Sequence, residues 1–182
     1  MDDTDGVIRT LQDGQTVLVR ELRSEDRDLI VDGFAHLSDR SRFLRFLAPR
    51  KQLTARELDR LTDPTDRDDV AIGAKTIEPS DVPNTPVGLA RFVRLAPGSD
   101  VAEIAITVVD DYQGKGVGTV LLRELARIAE RCDVREFEAL IHSDNINALG
   151  FLHHFRAREE DGTQPETEAR LSIASILEGL GD

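Results

Sequence analysis

The sequence predicts one α/β domain built on a mixed, mostly antiparallel central sheet with helices on both faces. Three observations carry this. Segments of strand-like alternation and of helical period follow one another in the order β-α-α-α-β-β-β-α-β-α-β. One strand-like run, Val101 to Val109, passes through a glycine-rich turn straight into an amphipathic helix. The chain has 182 residues, 40% of them apolar, enough for a single substantial core.

The elements follow in order. Residues 1–14 open on an acidic, polar stretch and are expected to be a flexible segment ahead of a domain spanning 15–178. Thr16–Leu22 alternates as a strand, and Ser24 is placed to cap a helix running to about Leu37. Ser38–Phe46 is a short helical segment anchored by Phe43, Leu44 and Phe46. Thr54-Ala-Arg-Glu57 is a capping box opening a helix that ends near Leu61, and the turn-rich stretch Thr62–Asp69 follows. Val70–Ile77 and Pro86–Leu95 read as strands joined by the loop Glu78–Thr85, which holds Pro79 and Pro83. After the strand at 101–109, Val117, Leu121, Leu125, Ile128 and Cys132 form one apolar helical stripe. Glu136–His142 is a further strand, Asn145–Phe155 a second helix of this half, and Arg170–Leu177 a last strand.

Composition excludes several function classes. A net charge of −12 and a pI near 4.8 argue against a nucleic-acid binder, which needs a basic footprint. The same acidity is compatible with a cationic acceptor such as a lysine amine. The single cysteine, Cys132, cannot form an internal disulfide, which points to the cytoplasm. The N-terminus does not resemble a signal peptide, and no segment approaches membrane-spanning length. No His, Cys or carboxylate spacing suggests a metal site, and His153 and His154 read as surface or packing residues.

Residues 110–122 carry the chemistry. Gly114, Gly116 and Gly118 recur at every second position between the strand and the helix. Such a turn brings the backbone close to a ligand and aims several N–H groups and a helix N-terminus at one point, the way a pyrophosphate is held. The P-loop pattern fails because Gly116, not Ser or Thr, follows Lys115. The dinucleotide fingerprint fails because its third glycine would fall one position later, behind a first strand. The pattern Gln/Arg-x-x-Gly-x-Gly/Ala is met by Gln113, Gly116 and Gly118.

In this strand–turn–helix setting that motif resembles the acetyl-CoA loop of the Gcn5-related N-acetyltransferases, whose element order the chain also resembles. More closely, it resembles the bacterial protein lysine acetyltransferases that act on acyl-CoA synthetases. Leu37–Phe46 with Leu53–Leu58, Val101–Val109 running into Asp-Asp-Tyr-Gln-Gly-Lys-Gly, and Ser143-Asp-Asn145 carry this likeness. The resemblance implies acetyl-CoA as co-substrate, no metal, and a protein lysine, for example on an acyl-CoA synthetase, as acceptor. A small amine as acceptor, or a non-catalytic acyl-CoA-sensing module, are the alternatives.

Amine acetylation needs a neutral amine, and deprotonating a lysine of pKa about 10.4 at pH 7 costs roughly 4–5 kcal/mol. Glu103 is the candidate general base, sharing a strand face with the small residues Ala105 and Thr107; the resemblance implies the same role. A solvent-facing glutamate at a strand end is the bland alternative. A backbone N–H near Val108 or Val109 is expected to polarise the thioester carbonyl. The amides of Gln113, Gly114, Lys115, Gly116, Val117, Gly118 and Thr119 are expected to take the pyrophosphate, with the Lys115 ammonium either adding charge or solvated. By resemblance Asn145 holds the pantetheine arm; capping its helix is the structural alternative. Where many superfamily members place a tyrosine acid, four residues past the alanine of Asn145-Ile-Asn-Ala148, this chain has Leu152. Its only tyrosine, Tyr112, does not match that position, so no tyrosine acid is assigned.

Overall fold

The structure is a computed structural model and describes residues 6–63, 67–78, 82–160 and 165–178. A hairpin of β1 (Val7–Thr10) and β2 (Thr16–Glu21) precedes three helices, α1 (Arg27–Ala35), α2 (Asp39–Phe46) and α3 (Ala55–Thr62). A meander of β3 (Asp69–Thr76), β4 (Pro86–Arg94) and β5 (Val101–Val108) leads into α4 (Val117–Arg131). The chain then forms β6 (Glu136–His142), α5 (Ile146–His154), β7 (Arg158–Glu160), β8 (Glu166–Ser172) and α6 (Ile173–Glu178). The strands make one sheet in the order β1-β2-β3-β4-β5-β6-β8-β7. Every neighbouring pair is antiparallel except β5 with β6.

Strand alternation sends different residues to the two faces. On one face Val17, Val19, Val70, Ile72, Ala90, Phe92, Ala102 and Ile104 join Leu121, Leu122 and Leu125 of α4 and Ile176 of α6 in the main core. On the other, Leu22, Ile30 and Ala71 make a much smaller buried cluster, edged by Leu53, Leu58, Leu61 and Leu89. Helices α1 to α3 cover that second face without filling it, and this leaves room for a cavity.

Four boundaries differ from the sequence expectation. Val7–Thr10, inside the segment expected to be flexible, pairs with β2, and Arg9 places its guanidinium 2.8 Å from the buried Glu124 carboxylate on α4. Tertiary pairing thus orders a stretch whose composition is polar. Ser24 does not cap α1: Ser24–Asp26 is a single 3-10 turn, and the Asp26 carboxylate accepts from the Arg23 N–H at 2.8 Å. The last strand is Glu166–Ser172, and the apolar run after it continues as α6. Ile173 and Ile176, three apart, both pack into the main core, so helical spacing wins over the strand-like composition. The short edge strand β7 has no counterpart in the expectation. By contrast the Thr54–Glu57 capping box forms as expected, with Thr54 Oγ1 accepting from the Glu57 N–H and Glu57 Oε2 from the Thr54 N–H. Parts of the expected turn Thr62–Asp69 and loop Glu78–Thr85, including Pro79, lie outside the described residues.

No helix among the described residues is long and apolar enough to cross a membrane. No cluster of three metal-ligating side chains occurs among them either.

Candidate active site

Strands β5 and β6 start together and then separate. They pair in parallel only at Val101–Glu136, Ala102–Phe137 and Glu103–Glu138. Beyond Glu103 each strand runs on to Val108 and His142 without pairing to the other, which opens a wedge in the sheet. Two backbone hydrogen bonds give the orientation of β5: Leu95 N–H donates to the Val101 carbonyl at 3.1 Å, and Val109 N–H to the Val87 carbonyl at 3.0 Å. In an antiparallel pair the bonding direction alternates with each residue. Odd-numbered residues of β5 therefore bond to β4, while Ile104, Ile106 and Val108 turn their N–H and C=O groups into the wedge. This corrects the expectation for Val109, whose N–H is already engaged. It adds Ile106, which only the register could reveal.

The glycine loop closes the wide end of the wedge. Gly114 and Gly116 have φ of 73° and 94°, a left-handed conformation that glycine adopts without steric penalty. Gly116 is the N-cap of α4, and the helix's first backbone bond runs from Val120 N–H to the Gly116 carbonyl at 3.0 Å. Among the described residues, the N–H groups from Gly114 to Thr119 have no acceptor. Six consecutive backbone donors at the N-terminus of a helix buried on its apolar face form a preorganised anion cradle. Gln113 stands outside this set: its N–H donates to the Asp110 carbonyl at 3.2 Å, and its side-chain amide donates to the Val108 carbonyl at 3.3 Å. The Lys115 ammonium lies over the Tyr112 ring at 4.8 Å and 3.6 Å from the Asp13 carboxylate. The β1–β2 turn supports the loop from behind, with Gln12 N–H donating to the Lys115 carbonyl at 3.1 Å.

Helix α2 bridges the mouth of the wedge. Ser38 caps it, accepting from Ser41 N–H at 3.1 Å, and Ser41 Oγ accepts from the Gln113 side chain at 3.4 Å. On the β6 side Arg40 donates to the Asp144 carbonyl at 3.2 Å, and Phe43 meets His142 edge-on at 5.5 Å. Burial raises the Asp110 pKa, but hydrogen bonds with Ser38 and Ser41 and the charge of Arg42 outweigh it and hold the carboxyl below its usual range. Oδ1 of Asp110 itself is buried with no partner in bonding geometry. Asn145 caps α5, its Oδ1 accepting from the Ala148 N–H at 3.2 Å. Leu152, four residues past Ala148, is buried in the main core.

On the α1–α3 face of β5 lies a cavity of about 320 Å³. Its apolar wall includes Leu22, Ile30, Phe34, Phe46, Leu61 and Leu89, and Glu103 and Thr107 of β5 with Val109 just after it form another wall. The Glu103 side chain is exposed at the rim and makes no hydrogen bond or ion pair among the described residues. It sits on the last shared rung of β5 and β6, where the wedge begins. One strand thus faces a cavity with its odd side chains and, with its even backbone groups, a wedge that ends at backbone N–H donors.

Comparison with known proteins agrees with this layout. The sequence pattern of the acetyltransferase (GNAT) family matches residues 40–155. The chain is 33% identical over 151 residues, 80% of both chains, to "Acetyltransferase PA5475" of Pseudomonas aeruginosa. It is 44% identical over 57 residues, 31% of this chain and 17% of the relative, to "Acetyltransferase Pat" of Mycolicibacterium smegmatis. In fold it is similar to the GNAT domain of S. lividans PAT, with a TM-score of 0.83 at 24% identity over 92% of this chain and 96% of that one. The chain belongs to the GNAT family and is an acetyltransferase.

Proposed function

We propose that this enzyme transfers the acetyl group of acetyl-CoA directly to the ε-amine of a lysine on a protein substrate. The observation that carries the reading is β5 itself, which joins an exposed carboxylate on a cavity wall to a backbone edge ending at six amides that have no acceptor among the described residues. The amides of Gly114–Thr119 suit the diphosphate of coenzyme A. Ile106 and Val108 offer N–H groups at the wedge, to which a pantetheine arm adds as a partial strand and against which a thioester carbonyl is polarised.

Glu103 takes the proton from the incoming ammonium, directly or through one water. The neutral amine attacks the thioester carbonyl, the C–N bond forms, the C–S bond breaks, the electron pair leaves on sulfur, and the surplus proton on nitrogen passes to the thiolate or to solvent. A thiol pKa near 8.5 makes that thiolate a tolerable leaving group without a tyrosine acid. A protein lysine is favoured as acceptor by the resemblance of Leu37–Phe46, Val101–Gly116 and Ser143–Asn145 to the bacterial protein lysine acetyltransferases. The buried lone thiol of Cys132 suits a reducing cytoplasm.

The test is acetyl-CoA consumption across purified acyl-CoA synthetases and a panel of small amines, with the products read by mass spectrometry. Acetyl-lysine on a synthetase is the expected result. Modification of free amines alone assigns a small-molecule acceptor, and turnover of no amine by folded protein leaves only cofactor binding.

A further inference from the structure

The cavity beside Glu103 is richer in cations than an acidic chain suggests. Arg20, Arg45, Arg60, Lys75 and Arg91 line it, against Asp26, Glu57 and Glu103. Four of these eight charges are held by ion pairs, within the cavity wall or just outside it. Arg20 grips Asp26 with two bonds of 2.7 and 2.8 Å, Arg91 Nε donates to Asp69 at 2.7 Å, and Glu57 lies 2.9 Å from Arg50.

Arg45 is different. It projects from the last turn of α2, its guanidinium stacked at 4.9 Å on the Phe46 ring, and its Nε is buried without a hydrogen-bond partner among the described residues. Burial and the neighbouring Arg91 charge push its pKa below the usual range, and Glu103 pulls the other way. A buried guanidinium donor left open is costly, and in a native fold it calls for an acceptor. Arg45 lines this cavity, so a bound ligand is placed to supply that acceptor.

We infer that the amine acetylated here carries a carboxylate close to its nitrogen, and that Arg45 receives that carboxylate while the nitrogen lies toward Glu103. Arginine suits the task because its planar fork matches a carboxylate with two parallel bonds. Neutralising Arg45 in this way also relieves the repulsion that a cationic wall imposes on an ammonium. A polyamine, cationic throughout, lacks this group. The carboxylate has two possible sources: the acceptor's own, as in a free amino acid, or an acidic side chain next to a lysine in a protein. The inference rests on the reading of this cavity as the acceptor site.

The test measures kcat/KM for matched pairs: free lysine against cadaverine, and a lysine peptide flanked by Glu against its Gln-flanked twin. At least one pair is expected to show a tenfold or greater preference for the carboxylate member, and the pair that does so identifies the source. Arg45→Gln is expected to collapse that ratio toward one, and Arg45→Lys to restore it in part, with acetyl-CoA affinity and melting temperature reporting on the fold. Equal turnover within both pairs, a preference for the neutral or polycationic members, or a preference that survives Arg45→Gln overturns the inference and leaves the acetyltransferase reading intact. The wild-type comparison decides this even if the variants fold poorly. Turnover of none of the four amines overturns the inference, and failure on the acyl-CoA synthetases as well, by protein that binds acetyl-CoA, overturns both.

Discussion

Gly116 holds its place through backbone geometry. At φ of 94° an L side chain is strained by about 1–2 kcal/mol, and a Cβ there would also lie 3.3 Å from Gln12. Gly116→Ala is therefore expected to lower stability by that amount and to weaken acetyl-CoA binding at least tenfold, read by thermal melting and calorimetric titration. An unchanged affinity would separate the loop from the cofactor. Glu103 invites the opposite pattern. Glu103→Gln removes the proposed base and keeps the shape, so kcat on a true acceptor should fall about 100-fold or more while acetyl-CoA affinity stays within about twofold. A variant as fast as wild type would take Glu103 out of the mechanism. Both residues are legible in the sequence, one as part of a local motif and the other by resemblance. Arg45 and Ile106 are not, because their meaning comes from neighbours distant in the chain: a cavity wall for one, a β-ladder parity for the other.

At the scale of elements, the seat of α4 on the sheet decides where the cradle points. A Cβ at Gly88 would stand 2.9 Å from a Leu121 methyl and 2.9 Å from the Thr107 carbonyl, with Val117 at 3.1 Å. Gly88→Ala should lift the first turn of α4 off β4 and β5, at a cost of about 1–3 kcal/mol. Denaturant midpoints would register the loss, and acetyl-CoA affinity should fall with it because the amides shift. Helix α3 forms part of the far wall of the cavity and starts at a complete capping box. Thr54→Ala is expected to cost about 1 kcal/mol, again by denaturant midpoint, and to raise the acceptor KM more than the acetyl-CoA KM. The helical stripe of α4 and the capping box of α3 could be read in advance because both are patterns within a few turns of chain. The cap of α1 and the fate of residues 173–178 could not. In each case a tertiary partner, the Arg20–Asp26 pair or the flank of α4, overrode the local signal.

Across the whole molecule, net charge and site charge point in opposite directions. The chain carries −12, yet the cavity beside Glu103 is lined by five cations and three carboxylates. Overall acidity is spread over the surface, and long-range fields from exposed charges are screened within about 10 Å at 0.1 M salt. Buried charges such as Arg20 and Asp26 dominate locally. Asp26 is only 3% exposed. Burial raises its pKa, but hydrogen bonds from Arg20 and Arg23 and the charges of Arg20 and Lys75 outweigh that and hold it below the usual carboxylate value. Because the folded pKa is the lower one, the stability Asp26 supplies is complete above an unfolded pKa of about 3.9. It is lost as pH falls through the folded value. Wild type should therefore weaken on acidification below about pH 4. Asp26→Asn should lower stability at pH 7 by about 3 kcal/mol, since Arg20 is left buried beside a neutral group, and should show a shallower acid loss. Urea midpoints at pH 7 and pH 3.5 check both.

By itself the sequence determined the α/β class, the glycine cradle and the central helix, because each is written in contacts between residues close along the chain. The wedge between β5 and β6, the parity that turns Ile106 and Val108 into it, and the cationic cavity around Glu103 were decided only by tertiary structure. They depend on which strands pair, in what register, and how completely three helices cover one face of the sheet, and no local pattern specifies those long-range pairings.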